Sequence, residues 1–263
     1  MTGPVSWCCR SWSSCRSGLF VWGCVAALIA CGGGSADSAT PALAAEPLPV
    51  VVTAPVPPGT TTWVVMGSST ALGAGAIPGN GWVDQVRHAY TAQQVTVVNL
   101  AKGGSVSYQG LAVGTTPPVG RPAPDVLANI DAALARQPKV LVLAYPTNDT
   151  ALGYTVDETV SNLLAIRAIA LASGVNVLVM SAQPRNLSAT LIARLEALDD
   201  RMSATVGGCF VPVRSALAGP DGKLAPVYDS GDGVHPSDAG HTLIADRARA
   251  VVDSGACFAA GSR

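Results

Sequence analysis

Charge is scarce in this chain. Only 13% of the 263 residues are Asp, Glu, Lys or Arg, and 17 acidic residues nearly balance 16 basic ones. A nucleic-acid-binding surface needs clustered excess positive charge, so that class of function is excluded. Aromatic residues amount to 5%. No apolar run beyond the first 31 residues is long enough to span a bilayer, and no internal repeat is present. Cysteine is rare outside the N-terminal region, where five of the seven fall. What the chain does have is 49% hydrophobic residues, which rules out general disorder and is enough for one sizeable core.

The N-terminal segment does not read as part of that core. Arg10 and Arg16 precede an apolar stretch at residues 18–30, and no acidic residue occurs before Asp37. The stretch has signal-peptide length and is too short for an ordinary spanning helix. It ends in Leu28, Ile29, Ala30 and Cys31, followed by Gly32, Gly33, Gly34 and Ser35. Small residues before a cysteine and a flexible run after it resemble the lipobox of bacterial lipoproteins. That resemblance implies a signal peptide over 1–30, lipid attachment at Cys31 and a place in the bacterial cell envelope, with the outer membrane favoured because Gly32 offers no inner-membrane retention aspartate. The alternative is a plain secretory signal cleaved near Ala44 and Ala45. Residues 31–60, rich in Gly, Ala, Ser and Pro, read as a tether, and the folded domain is expected over 61–263. After processing only Cys209 and Cys257 remain, an even number in a disulfide-permissive compartment, so a bridge between them is expected; two reduced, buried thiols are the alternative.

Within the domain, five short aliphatic or β-branched runs at 62–66, 95–100, 140–144, 175–180 and 209–213 alternate with helical patterns. The helices are expected near 80–92, 124–136, 156–173, 187–205 and 237–253. The third opens on a capping box, Thr155 with Glu158, stops at Gly174 and carries a core stripe of Val160, Leu163, Leu164 and Leu171. Several runs are apolar on both faces, as strands covered on both sides must be. The pattern predicts an α/β fold, a three-layer α/β/α sandwich around a central five-stranded parallel sheet. Ligands of such sheets bind at the carboxyl ends of the strands, so chemistry is sought in the loops there.

The loop after the first strand, residues 67–75 (GSSTALGAG), places a serine just past a glycine turn at a helix start. That suits an exposed nucleophile whose own N–H helps an oxyanion. Taken alone such a turn is more often a simple helix cap, and a phosphate loop is a further option, although no Gly-Lys-Ser/Thr follows and the dinucleotide glycine spacing fails. The last loop, residues 229–241 (DSGDGVHPSDAGH), sets Asp232 and His235 three residues apart ahead of a helix. A carboxylate so placed can hold the imidazole Nδ1–H and leave Nε2 to accept a serine proton. A solvated surface histidine and a metal site are the alternatives; a metal would need a third ligand, and His241 is expected to face elsewhere.

Taken together, these segments resemble the SGNH/GDSL hydrolase family, whose blocks supply Ser, Gly, Asn and His in that order. Ser69 in Gly67-Ser68-Ser69-Thr70 matches the nucleophile. Gly104 in residues 98–105 (VNLAKGGS) and Asn148 in residues 146–149 (PTND) match the oxyanion donors, and Asp232 and His235 (DGVHP) match the acid and base. The resemblance covers residues 61–253 and implies the flavodoxin-like fold of that family. It also implies a Ser69–His235–Asp232 triad, an oxyanion hole from the N–H groups of Ser69 and Gly104 and the Asn148 amide, an acyl-enzyme intermediate, and no metal or cofactor. Two positions depart from the pattern: Ser68 stands where the family has Asp, and Pro146 where it has Gly. These bear on loop bracing and substrate fit rather than on the triad.

Three functions are carried forward: a carboxylesterase for short acyl or acetyl esters, a carbohydrate O-acetylesterase of the cell envelope, and a non-catalytic envelope scaffold that keeps the fold. The expected partners are a small-molecule or saccharide-borne ester and, through the lipid, a membrane; the working oligomeric state is a monomer. Of the remaining polar residues, Asp149 is expected to brace a loop rather than act as a second acid, Asn99 to cap its strand, and Arg185 to lie at the surface, with contact to substrate the alternative. Tyr145 and Tyr154 flank the Asn148 loop; a purely structural place is the first reading for both, and lining the crevice the alternative.

Overall fold

The computed structural model describes residues 61–258; the expected signal peptide, Cys31 and the tether lie outside the described residues. Five strands, β1 (Thr61–Gly67), β2 (Val95–Asn99), β3 (Val140–Ala144), β4 (Asn176–Met180) and β5 (Phe210–Val211), form one sheet in the order β2-β1-β3-β4-β5. Every pairing is parallel. Strands of this kind need apolar side chains on both faces: Val64, Met66, Leu141, Leu143 and Val179 are buried on one, and Val65, Val142 and Leu178 on the other.

The helices flank the sheet. They are α1 (Ser69–Leu72), α2 (Trp82–Ala89), α3 (Ile130–Leu134), α4 (Pro146–Ala151), α5 (Val156–Ala172), α6 (Ala189–Val206), α7 (Arg214–Leu217) and α8 (Asp238–Asp253). Helix α2 packs on α8, while α5 packs on α3 and α6. Helix α5 has the expected capping box: the Glu158 N–H donates to Thr155 Oγ1 at 3.1 Å and the Thr155 N–H to Glu158 Oε2 at 2.8 Å. Its buried stripe differs from the expected one, with Val160 and Leu163 continued by Ile166 and Ala170 rather than by Leu164 and Leu171. The i, i+3, i+7 spacing from Leu163 keeps a single face on the sheet.

The helix expected over 124–136 shrinks to Ile130–Leu134. Asp125 takes the Leu127 N–H on its side chain and the Ala128 N–H on its carbonyl, closing a turn instead. Asn129 then caps the short helix by accepting from Ala132 at 2.9 Å. Strand β5 is also shorter than expected, because Pro212 has no N–H to give, and the next two amides, of Val213 and Arg214, turn to Ser181 Oγ at 2.8 and 3.0 Å. Cys209 and Cys257 are joined by a disulfide that ties the start of β5 to the segment after α8.

The strand order has one reversal. From β1 the chain crosses to β2 on one side, and from β2 it returns past β1 to β3 on the other. That switch point opens a crevice at the carboxyl ends of β1 and β3. Gly67 and Ala144 pair in register there, so the loops that follow leave the sheet side by side.

Candidate active site

Ser69 begins α1 immediately beyond β1. The turn requires Gly67: a Cβ there would lie 2.8 Å from the Ala144 carbonyl oxygen and 3.0 Å from the Ala71 Cβ. Ser68, in the helix-capping position, is buried and makes no side-chain cap; its N–H donates to the Ala144 carbonyl at 3.3 Å. Bracing of this turn falls to Gln183, whose Nε2 donates to Thr70 Oγ1 at 2.7 Å, and to Asn99, whose Nδ2 donates to the Ala71 carbonyl at 2.7 Å. Asn99 also takes the Ala101 N–H at 3.0 Å, the strand-end capping expected of it.

His235 and Asp232 share a tight turn before α8. Asp229 organises it by accepting the N–H groups of Gly231 and Gly233 at 2.9 and 3.0 Å. Asp232 Oδ1 takes the N–H groups of Val234 and His235, both at 2.8 Å, while its Oδ2 lies 2.6 Å from His235 Nδ1. A carboxylate can only accept, so Nδ1 carries the proton, and in that tautomer Nε2 presents a lone pair. Ser69 Oγ lies 2.9 Å from that nitrogen and donates to it. Ser69, His235 and Asp232 are thus brought into one hydrogen-bonded relay from positions up to 166 residues apart. Burial pushes the Asp232 carboxyl up, but the His235 and Val234 amides and the His235 ring outweigh it and hold the group well below the usual carboxylate range.

Two features fix this turn against α1. Gly75, with φ +92°, passes so close that a Cβ would sit 2.3 Å from the Pro236 carbonyl oxygen and 2.8 Å from the His235 Cβ. Buried His241, on α8, accepts the Trp82 N–H on Nδ1 at 3.1 Å and donates Nε2–H to the Ala74 carbonyl at 3.0 Å. Both ring nitrogens of His241 are thus engaged with the loop after α1 and the start of α2, and neither with Asp232. Desolvation lowers its pKa and keeps the ring neutral, the form this pair of bonds requires. Asp238 adds two more ties to the same loop, accepting from the Ile77 N–H and from Asn80 Nδ2.

Gly104 sits in a turn closed by the Ser105 N–H on the Lys102 carbonyl, with φ +77°, a conformation that glycine adopts without strain. The Lys102 N–H donates to the Gly67 carbonyl at 3.2 Å, pinning this loop beside the serine turn. Asn148 lies on α4, which starts at Pro146, a first-turn position where the missing N–H costs nothing. Asn148 Nδ2 donates one proton to the Ser105 carbonyl at 3.0 Å, leaving the other N–H for a ligand. Asp149, fully buried, braces the same two loops by accepting the Ser107 N–H at 3.0 Å and the Ser107 hydroxyl. Desolvation raises its pKa to about 6 against those hydrogen bonds.

Among the described residues, no group of three or more His, Cys, Asp or Glu side chains could hold a metal ion. No helix among them is long and apolar enough to cross a membrane.

A model of the GDSL-like lipase/acylhydrolase family matches residues 65–243. The chain belongs to this family. It is therefore an ester-hydrolysing enzyme. Solved structures share its fold: a lipolytic G-D-S-L protein from Veillonella parvula aligns at TM-score 0.58 with 18% identity, covering 74% of this chain and 99% of that one. The psychrotrophic esterase EstA from Pseudoalteromonas sp. aligns at 0.55 with 18% identity, covering 74% and 97%. An acetyl xylan esterase aligns at 0.56 with 18% identity, covering 73% and 99%. No curated protein sequence matches the chain.

The structure decides between the readings left open for two residues around this GDSL site and corrects that of a third. Tyr145 and Tyr154 do not line the crevice; both are buried, Tyr145 donating its hydroxyl to the Ala128 carbonyl and Tyr154 packing edge-on against Tyr108 under the Arg121 guanidinium. Apolar packing under the loops claimed both rings. Arg185 is not a surface residue either. It is half-buried, and its Nη1 donates to Asn148 Oδ1 at 3.2 Å. Desolvation lowers its pKa, opposed by the negative charge of Asp232. Its place in the loop after β4 was the available signal of position, though not of its partner, since that loop opens on the same crevice.

Proposed function

We propose that this GDSL enzyme is a serine esterase that cleaves short acyl or acetyl esters through a covalent acyl-enzyme. The observation that carries the reading is the relay of 2.9 Å from Ser69 Oγ to His235 Nε2 and 2.6 Å from His235 Nδ1 to Asp232 Oδ2. As the Ser69 oxygen attacks the ester carbonyl carbon, its proton passes to His235 Nε2, and Asp232 stabilises the resulting imidazolium. The carbonyl oxygen gains negative charge and is met by the N–H groups of Ser69 and Gly104 and by the free Asn148 N–H. Collapse breaks the bond to the leaving alcohol, which takes the proton from His235. Water then attacks the acyl-serine by the same route, releasing the acid and restoring Ser69.

Ser69→Ala should abolish turnover of p-nitrophenyl acetate with the thermal melt unchanged; full activity in that variant would refute the assignment. Asn148→Ala should lower kcat by roughly 100–1,000-fold, the range for loss of one oxyanion donor.

A carbohydrate O-acetylesterase is the second reading, favoured by the likeness to an acetyl xylan esterase. Against it, sugar clefts favour exposed aromatic rings, and only nine aromatic residues follow Cys31. Acetate release from acetylated xylan, compared with hydrolysis of p-nitrophenyl butyrate, separates the two. We further infer export to the cell envelope and lipid attachment at Cys31. The Cys209–Cys257 disulfide supports an oxidising compartment, and metabolic labelling with a fatty-acid analogue, lost in Cys31→Ala, tests the anchor.

A further inference from the structure

The segment after β4 touches both halves of the site. Pro184 is buried, and the two residues after it point in different directions. Arg185 Nη1 donates to Asn148 Oδ1 at 3.2 Å, and the Asn186 N–H donates to the Gly233 carbonyl at 2.7 Å, inside the turn that carries Asp232 and His235. The Asn186 side chain lies against the same glycine, where a Cβ would come within 2.2 Å of its Nδ2. One short stretch of chain therefore spans from the proposed oxyanion amide to the acid–base turn.

Arg185 is an expensive way to hold an asparagine. Its Nε is buried with no hydrogen-bond partner, and native proteins seldom leave a buried donor unpaired unless the group is needed where it is. What the guanidinium supplies is a permanent positive charge on the oxygen end of the Asn148 amide. That contact excludes the flipped amide, in which Oδ1 would face the developing oxyanion. It also draws electron density toward Oδ1, which makes each Nδ2–H a stronger donor.

We propose that Arg185 is a positioning residue for ester hydrolysis, acting through Asn148 to aim and polarise the amide N–H that meets the oxyanion. This rests on the reading of Asn148 given above. Because the transition state gains charge that the ground state lacks, the benefit falls on kcat, with KM little changed. Substrate is not touched by Arg185 in this account.

A double-mutant cycle on the full chain tests it, with p-nitrophenyl acetate as substrate and thermal melts as the folding control. Arg185→Met should lower kcat between about 5-fold and 100-fold, inside the span of couplings within one hydrogen-bonded network, and leave KM within about twofold. Arg185→Lys, which can still donate to Oδ1, should recover part of the loss. In an Asn148→Ala background, Arg185→Met should change kcat by less than about twofold, because nothing remains to be positioned. Arg185→Ala repeats the cycle if the methionine variant fails to fold. An equal loss in both backgrounds, a raised KM at unchanged kcat, or no loss in the single variant would each overturn the proposal while leaving the esterase reading intact. An Asn148→Ala protein with full activity would overturn both the proposal and the oxyanion role of Asn148.

Discussion

Gly75→Ala gives a prediction whose size follows from the backbone alone. A methyl group at this position would have to occupy space 2.3 Å from the Pro236 carbonyl oxygen and 2.8 Å from the His235 Cβ, and φ is +92°. Left-handed backbone costs an alanine about 1–2 kcal/mol, and the clash can be relieved only by pushing the His235 turn away from α1. Contact distances of 2.3 and 2.8 Å must open by about 1 Å to reach ordinary van der Waals separation. The Ser69–His235 hydrogen bond, at 2.9 Å, has no slack for such a shift. A displacement of about 1 Å at a reacting pair lowers the rate by roughly 100-fold. Gly174 supplies the control: its φ of +73° imposes similar strain, but a Cβ there meets nothing within 4 Å. Gly174→Ala should therefore lower stability by about 1–2 kcal/mol and keep kcat/KM within about twofold. Gly75→Ala should lose at least as much stability and about 100-fold in kcat/KM on p-nitrophenyl acetate. If both variants melt alike and both keep full kcat/KM, the close approach of this loop does not hold the histidine in place.

Other perturbations separate the roles of the polar groups. Asp232→Asn should lower kcat by more than about tenfold, yet by less than the roughly 10⁴-fold typical of a buried triad acid, because the Asp232 side chain is 50% exposed and water can partly replace it. Reducing the Cys209–Cys257 bridge, which closes 48 residues, should destabilise the domain by about 4 kcal/mol in a denaturant titration and leave kcat unchanged in protein that stays folded. The Asp149 carboxyl is held near 6, above its unfolded value, so the folded state binds the extra proton and stability falls as pH rises from about 4 to 6. Asp149→Asn should flatten that part of the stability profile, measured by urea unfolding at successive pH values; an unaltered slope would show that Asp149 contributes no such linkage.

The readable parts of this protein are those governed by local pattern. Runs such as residues 140–144 can only be doubly covered strands, and Asp232, His235, Pro236 and Ser237 announce their turn and the helix cap within a few residues. Alternation then fixes the parallel sheet, and the switch-point rule points to the loops holding Ser69 and Asn148. What stayed hidden is decided by contacts between distant segments. Helices α1 and α4 are too short for any periodicity to show, at four and six residues. Asp125 diverts its segment from helix to turn because its side chain takes a nearby amide and Lys102 reaches it from the neighbouring loop. Tyr145 and Tyr154 sit in the right loop, but only the packing of α5 and the loop after β2 shows that they are covered. Arg185 has no sequence neighbour that betrays its partner, since Asn148 lies 37 residues away. The glycines at 75 and 233 read as ordinary turn residues until the backbone they let past is seen.

The account depends most on Ser69 being a nucleophile activated by His235. Incubating the folded enzyme with a fluorophosphonate and locating the adduct by peptide mass spectrometry tests that directly. A single adduct on Ser69, absent in Ser69→Ala and formed far more slowly in His235→Ala, is the predicted result. Labelling at another residue, or none on active, folded protein, would contradict it.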